Sequence, residues 1–165
     1  MSLTPVLRLF ALGGLIGALM ALPVRAQVVG QDASVLEGIV AVDAQVSVSW
    51  RSGITEDGGP TEASYETAYL TALRAQLAAG GLQISEEAPN YLYCSIALLY
   101  SDDTGIVSAA QSVELHEPIG EDGQWAITWM QSQVYTVGLQ NFDGADDAQW
   151  CGEEFVREWR EANGV

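Results

Sequence analysis

The chain has 165 residues, of which 22 are acidic, six are basic and one is a histidine, so its formal net charge is −16. A chain this acidic repels nucleic acid and anionic lipid, which excludes both as partners. Its length predicts one domain with a single hydrophobic core.

The first 26 residues have the pattern of a secretory signal peptide. Arg8 precedes an apolar run from Leu9 to Leu22, and Pro23 and a small-residue site ending at Ala26 follow it. A membrane anchor would need about 20 predominantly apolar residues, and this run is shorter and interrupted by glycine. We therefore expect cleavage after Ala26 and export to the periplasm or the extracellular space. No transmembrane segment is expected in the mature chain.

After the signal peptide, we predict a flexible N-terminal segment over residues 27–38 and a single α+β domain over residues 39–165. Apolar and polar residues alternate from Val40 to Trp50, which predicts a strand with one face in water. Such a strand is typical of an antiparallel sheet that is covered on one side only.

A helix follows the polar loop after this strand. Its predicted start is Pro60-Thr61-Glu62, and Gly80-Gly81 ends it. Apolar residues recur every four positions along it and form one stripe: Tyr65, Tyr69, Leu73 and Leu77.

Four further strands and one helix complete the predicted order. The strands cover residues 82–85, 91–101, 106–116 and 124–137, and the acidic turn 102–105 makes a hairpin of the second and third. Carboxylates at 143–147 open the last helix, and Asn163-Gly164 ends it. This order predicts an α+β two-layer sandwich. It has a mainly antiparallel sheet of about four to five strands and two helices packed on one face.

The two cysteines are predicted to form a disulfide. Cys94 has the parity of the apolar residues in its strand, and Cys151 lies on the apolar stripe of the last helix with Phe155. Both therefore point into the same layer, and thiols that meet in an exported protein are usually oxidised. The alternative is two separate buried thiols that act as small hydrophobic side chains.

The sequence contains no recognisable catalytic or metal-binding motif. His116 is the only histidine, and it ends a predicted strand beside Glu114 and Glu117. Glu114 and His116 could reach one cation together, but a structural metal normally takes four ligands. We therefore predict no metal, no cofactor and no catalytic residue. The acidic turns lack the ligand spacing of an EF-hand loop, and a response to divalent cations is a weaker hypothesis.

The strand at 124–137 suggests a binding face. If its smaller side chains face the helices, the uncovered face of the sheet displays a row of aromatic residues: Trp125, Trp129 and Tyr135, with Tyr91 and Tyr93 from the neighbouring hairpin. Such a row suits a protein or glycan partner. The alternative is that Trp125, Ile127 and Trp129 are core residues and that a bulge near Gln131 switches the register.

The segments "LRAQLAAGGLQI" and "EEFVREWREANGV", which bracket the tryptophan-bearing strand, resemble parts of small exported bacterial proteins of uncharacterised function. The resemblance implies a secreted α+β module without known catalysis. The leading hypothesis is therefore an exported, non-enzymatic module that binds a protein or glycan partner through the open face of its sheet. The alternative is a small carboxylate-dependent hydrolase that acts outside the cytoplasm.

Overall fold

The computed structural model describes residues 26–28, 32–51, 62–101, 103–120, 123–142 and 144–165. The predicted signal peptide lies outside these residues except for Ala26, and so do Pro60-Thr61 and Asp143, which we expected to open the two helices. None of the helices in the described ranges is both long enough and apolar enough to span a membrane.

The described chain forms one sheet and two helices. The strands are β1 (Ala26–Val28), β2 (Ala41–Arg51), β3 (Gln83–Ile84), β4 (Tyr91–Ser101), β5 (Ile106–Ile119) and β6 (Gln124–Gly138), and the helices are α1 (Glu62–Gly80) and α2 (Gly144–Asn163). The order of strands across the sheet is β1-β6-β5-β4-β2-β3. This confirms the predicted α+β two-layer fold, with four long strands and two short ones.

The sheet is mixed, which differs from the prediction at β2. β2 pairs parallel with both β3 and β4, whereas the β4–β5, β5–β6 and β1–β6 pairs are antiparallel. The parallel β2–β3 pair arises because α1 is a crossover helix that returns the chain to the same end of the sheet. Alternation along β2 identified its buried face but carried no information on the direction of its neighbours.

The core lies between the sheet and the two helices. Most residues predicted to face this layer are buried, among them Val42, Ala44, Leu92, Ile96, Leu98, Tyr69, Leu73, Leu77 and Phe155. Val40, predicted on the same face, is 71% exposed. Each fully buried aliphatic side chain contributes about 1.5–3 kcal/mol relative to an exposed one. The predicted end of α1 is also confirmed, since Gly81 adopts φ +101° and the N–H of Leu82 donates to the carbonyl of Leu77 at 3.1 Å.

The two helices approach each other closely at Gly152. A Cβ atom at this position would lie 2.6 Å from Cβ of Gln76 in α1. We expect Gly152→Ala to lower the free energy of unfolding, because overpacking costs about 1–3 kcal/mol and a gain of about 1 kcal/mol in helix propensity offsets only part of it. Urea unfolding measures the change, with the exposed neighbour Glu153→Ala as the control. Equal stabilities for the two variants would contradict this close packing.

The predicted flexible segment is partly built into the fold. β1 pairs with β6, and Leu36, in a short 3₁₀ helix at Ala33–Leu36, is fully buried. The side-chain amide of Asn163, at the end of α2, makes two hydrogen bonds to this segment. Its Nδ2 donates to the carbonyl of Leu36 at 3.0 Å, and its Oδ1 accepts from the N–H of Gly38 at 2.9 Å. The side chain of one residue thus connects the two ends of the described chain.

We expect Asn163→Asp to destabilise the protein by about 1–3 kcal/mol, because the variant loses the two hydrogen bonds that the amide Nδ2 donates to the carbonyls of Leu36 and Trp159. The carboxylate loses the amide donor to Leu36 and places a negative charge at the C-terminus of a helix, where the helix dipole is unfavourable. Thermal unfolding of this variant and of Asn141→Asp, a matched change at an exposed position, measures the effect. A similar melting temperature for both would show that the Asn163 contacts contribute little.

Candidate functional site

The face of the sheet opposite the helices carries the candidate site. No described element covers it, and we call it the open face. Trp125, Tyr91 and Tyr93 lie on it, as the sequence predicted, and Trp125 is 48% exposed. Trp129 and Tyr135 do not: they lie on the helix side, where they are 0% and 7% exposed.

A β-bulge explains why the prediction for Trp129 and Tyr135 was wrong. Leu115 pairs with Trp129, but the next residue of β5, His116, pairs with Ile127, so Thr128 is an extra residue in β6. The bulge reverses the parity of the strand. Trp125 and Ile127 before it therefore face outward, while Trp129 and the alternating residues after it face the helices. The alternative interpretation expected a bulge near Gln131 and three core residues, of which only Trp129 is buried.

Four rings form an aromatic cluster at one end of the open face: Tyr91, Tyr93, His116 and Trp125. The rings of Tyr91 and His116 stack with centroids 4.3 Å apart, and the phenol oxygen of Tyr91 lies 2.9 Å from Nδ1 of His116. Trp125 meets Tyr91 edge-on at 4.9 Å, and Tyr93 meets His116 edge-on at 6.2 Å. These contacts hold the rings in place, so the cluster is a preorganised surface.

Glu114 connects the aromatic cluster to the middle of the open face. Its Oε2 lies 3.1 Å from Nε2 of His116, and its Oε1 accepts a hydrogen bond from Oγ of Ser112 at 3.1 Å. Both carboxylate oxygens are thus occupied within the sheet. No group of three or more potential metal ligands exists among the described residues, so the Glu114–His116 pair remains two ligands short of a structural metal site.

A second set of hydrogen-bonded polar side chains lies on the helix side of β6, and it was not predicted. Glu158 of α2 accepts hydrogen bonds from Nε1 of Trp129 at 2.7 Å and from Nε2 of Gln131 at 2.8 Å, and all three residues are buried. Gln133 donates to Gln111 at 2.6 Å beside them. The sequence does contain a signal for Glu158, because it lies seven residues after Cys151 and therefore on the same helix stripe.

The predicted disulfide is present. Sγ of Cys94 and Sγ of Cys151 are bonded at 2.02 Å, and both residues are buried in the layer between β4 and α2. Neither is a free thiol, so the cysteines hold α2 on the sheet and contribute no nucleophile to the open face.

The rest of the open face combines exposed apolar side chains with small ones. Five large apolar side chains on it are between 40% and 51% exposed: Leu99, Ile106, Trp125, Ile127 and Val134. Between these residues the strand register aligns four small side chains in one row across the sheet: Ser47, Ser95, Ser112 and Ser132. The open face is therefore shallow at its centre and apolar at both ends.

No protein-family model and no curated protein sequence matches the chain. Among solved structures, the chain is similar to a single-substitution variant of the PelC dodecamer from Paraburkholderia phytofirmans, with 17% identity over 84% of this chain and 97% of that chain and a TM-score of 0.48. It is also similar to a DUF4136 family protein from Bacteroides thetaiotaomicron, with 10% identity over 85% and 95% of the two chains and a TM-score of 0.38. A further match is described only as an uncharacterised protein, at 13% identity and a TM-score of 0.34 over 73% and 87% of the two chains.

Proposed function

We propose that this protein is a non-enzymatic module that binds a partner protein through the open face of its sheet. One observation carries the proposal: large apolar side chains, Trp125 and Ile127 among them, are nearly half exposed on the sheet face that neither described helix covers. Exposed apolar patches of this kind often mark the sites where a protein contacts a partner. Tyr and Trp are also the residues that most often anchor protein interfaces.

The shape of the open face favours a protein over a single sugar ring. Exposed apolar residues lie at both ends of the strands, from Trp125 and Ile127 at one end to Leu99 and Ile106 at the other. A saccharide stacked on Trp125 would cover only the first end. A protein surface can cover both ends at once, because interfaces of standard size bury roughly 800 Å² per partner.

The same proposal places the protein outside the cytoplasm. The Cys94–Cys151 bond supports export, since disulfides persist mainly in oxidising compartments. The hydrolase alternative lacks a comparable observation in its favour. Both oxygens of Glu114 and both oxygens of Glu158 already accept hydrogen bonds or an ion pair from neighbouring side chains, which suits fixed structural roles more than proton transfer to a substrate.

A photo-crosslinking amino acid tests the proposal in the native host. We expect benzoylphenylalanine in place of Ile127, on the open face, to give protein adducts, whereas benzoylphenylalanine in place of the exposed Ala75 of α1 gives none. Adducts of equal yield from both positions, or none from either, would overturn the proposal. An adduct at Ile127 that resists protease and migrates with polysaccharide would show that the partner is a glycan and not a protein.

A further inference from the structure

The pairing of the strands places small side chains across the middle of the open face. Ser47 pairs with Ser95, Ser95 with Ser112, and Ser112 with Ser132, so four serines lie in one line across β2, β4, β5 and β6. We call this line the serine row. Their short side chains are half-buried, and the row runs across the middle of the shared length of the strands.

Side chains on the two sides of the serine row differ in size. The next row toward the aromatic cluster contains Tyr93, Glu114 and Met130. The matching row on the other side contains Ala97, Ala110 and Val134. In β4 and β5 a large side chain on one side of the row thus corresponds to an alanine at the same distance on the other side.

We infer that the protein partner of the open face is a second copy of this chain, stacked face to face about a two-fold axis that lies along the serine row. This inference rests on the proposed function and names its partner. A rotation of 180° about such an axis keeps each strand over the same strand of the partner but reverses its direction. It therefore places Tyr93 over Ala97 of the partner subunit and Glu114 over the partner's Ala110.

This arrangement is self-complementary, as a two-fold interface must be. Tyr93 and Glu114 each lie over an alanine of the partner subunit, Met130 lies over the partner's Val134, and each pair forms twice. Packed sheets lie about 10 Å apart, a distance that the serines at the axis allow because they are short. Further from the axis, Tyr91 lies over the partner's Leu99, so two apolar side chains meet near each end of β4.

The size of the open face agrees with a stable dimer. Four long strands at about 4.8 Å spacing, each with about 11 residues at roughly 3.4 Å, outline a surface of roughly 700 Å². A specific interface of standard size buries roughly 800 Å² per partner.

Because each copy carries a formal charge of −16, the copies repel at low ionic strength, and dimerisation should strengthen as salt screens this repulsion.

A size-exchange experiment tests the inference on the processed chain purified from its host. Sedimentation equilibrium is expected to give twice the mass of one chain, with tighter association in about 0.5 M than in about 0.05 M NaCl. Ala97→Tyr places a second ring against Tyr93 of the partner subunit and should weaken the dimer at least about tenfold. The double variant Tyr93→Ala/Ala97→Tyr exchanges the large and small positions in both copies and should restore the dimer.

Controls keep folding separate from association. Ala97 is exposed, so its variants should retain the circular dichroism spectrum and melting profile of the parent monomer. Ala75→Tyr, the same change at an exposed position of α1, should leave the dimer unchanged. A monomeric parent, an unaffected Ala97→Tyr dimer or a double variant as weak as the single one would overturn the inference. A monomer that still forms Ile127 adducts with another protein would overturn this inference alone, and a monomer without adducts would also overturn the proposed function.

Discussion

Replacing Trp129 with alanine is expected to lower the free energy of unfolding by about 3–5 kcal/mol, whereas Trp125→Ala should change it by less than about 1 kcal/mol. Trp129 is fully buried, and its ring meets Phe155 of α2 edge-on with centroids 5.3 Å apart. Its removal leaves a cavity between β6 and α2. It also removes the N–H that donates to Glu158 at 2.7 Å, so a buried carboxylate loses one of its hydrogen bonds.

Trp129→Phe separates the two contributions. This variant keeps most of the aromatic volume but has no N–H group, so we expect it to lie between the parent protein and Trp129→Ala, at a cost of about 1–3 kcal/mol. Urea unfolding followed by circular dichroism measures all three variants, and Trp125→Ala serves as the control for loss of an indole. Equal destabilisation by Trp125→Ala and Trp129→Ala would contradict the bulge at Thr128, because only the bulge places the two rings on opposite faces.

The strands that the sequence predicted well are those whose alternation has no interruption. The prediction for residues 91–101 coincides with β4, because Leu92, Cys94, Ile96 and Leu98 alternate with less buried residues without a break. The same reasoning gave a wrong result for the second half of β6. A bulge leaves no mark in the residue types, and Trp125 and Trp129 look equivalent until the pairing of Leu115 and His116 with the strand is known.

The candidate site was predictable only where it depends on local parity. Tyr91 and Tyr93 were assigned correctly to the open face because β4 is regular, and the assignment of Trp125 holds because this residue precedes the bulge. Gln131 and Gln133 have the same parity as Trp129, and they are buried with it on the helix side. Their burial depends on Glu158 and Gln111, which are 27 and 22 residues away in sequence, and no local pattern connects such partners.

The structure of the N-terminal segment also depends on contacts that a local sequence pattern does not reveal. Residues 27–38 were predicted to be a flexible segment, and they have no periodic pattern. Leu36 is nevertheless fully buried, and the amide of Asn163, 127 residues further along the chain, binds its carbonyl. Structure that depends on a few specific contacts between distant residues leaves no periodic signal in the chain.

Loss of the Cys94–Cys151 disulfide is expected to lower the free energy of unfolding by about 4 kcal/mol. The bond closes a loop with a sequence separation of 57 residues, and in the chain-entropy model a loop of this length restricts the unfolded chain by about that amount. The double variant Cys94→Ala/Cys151→Ala measures the effect by urea unfolding in the absence of reductant. The parent protein under reducing conditions should unfold at a similar midpoint, and the variant should not respond to reductant.

The slope of the unfolding transition shows where the disulfide acts. If it acts mainly on the unfolded chain, the double variant should have a lower midpoint and a larger m-value, because an unconstrained chain exposes more surface to urea. If the bond mainly holds α2 on the sheet in the native state, the midpoint should fall with no change in the slope. An unchanged midpoint would contradict both accounts. A loss of about 4 kcal/mol is a large part of the roughly 5–15 kcal/mol typical of a domain, so the fold would depend on an oxidising compartment.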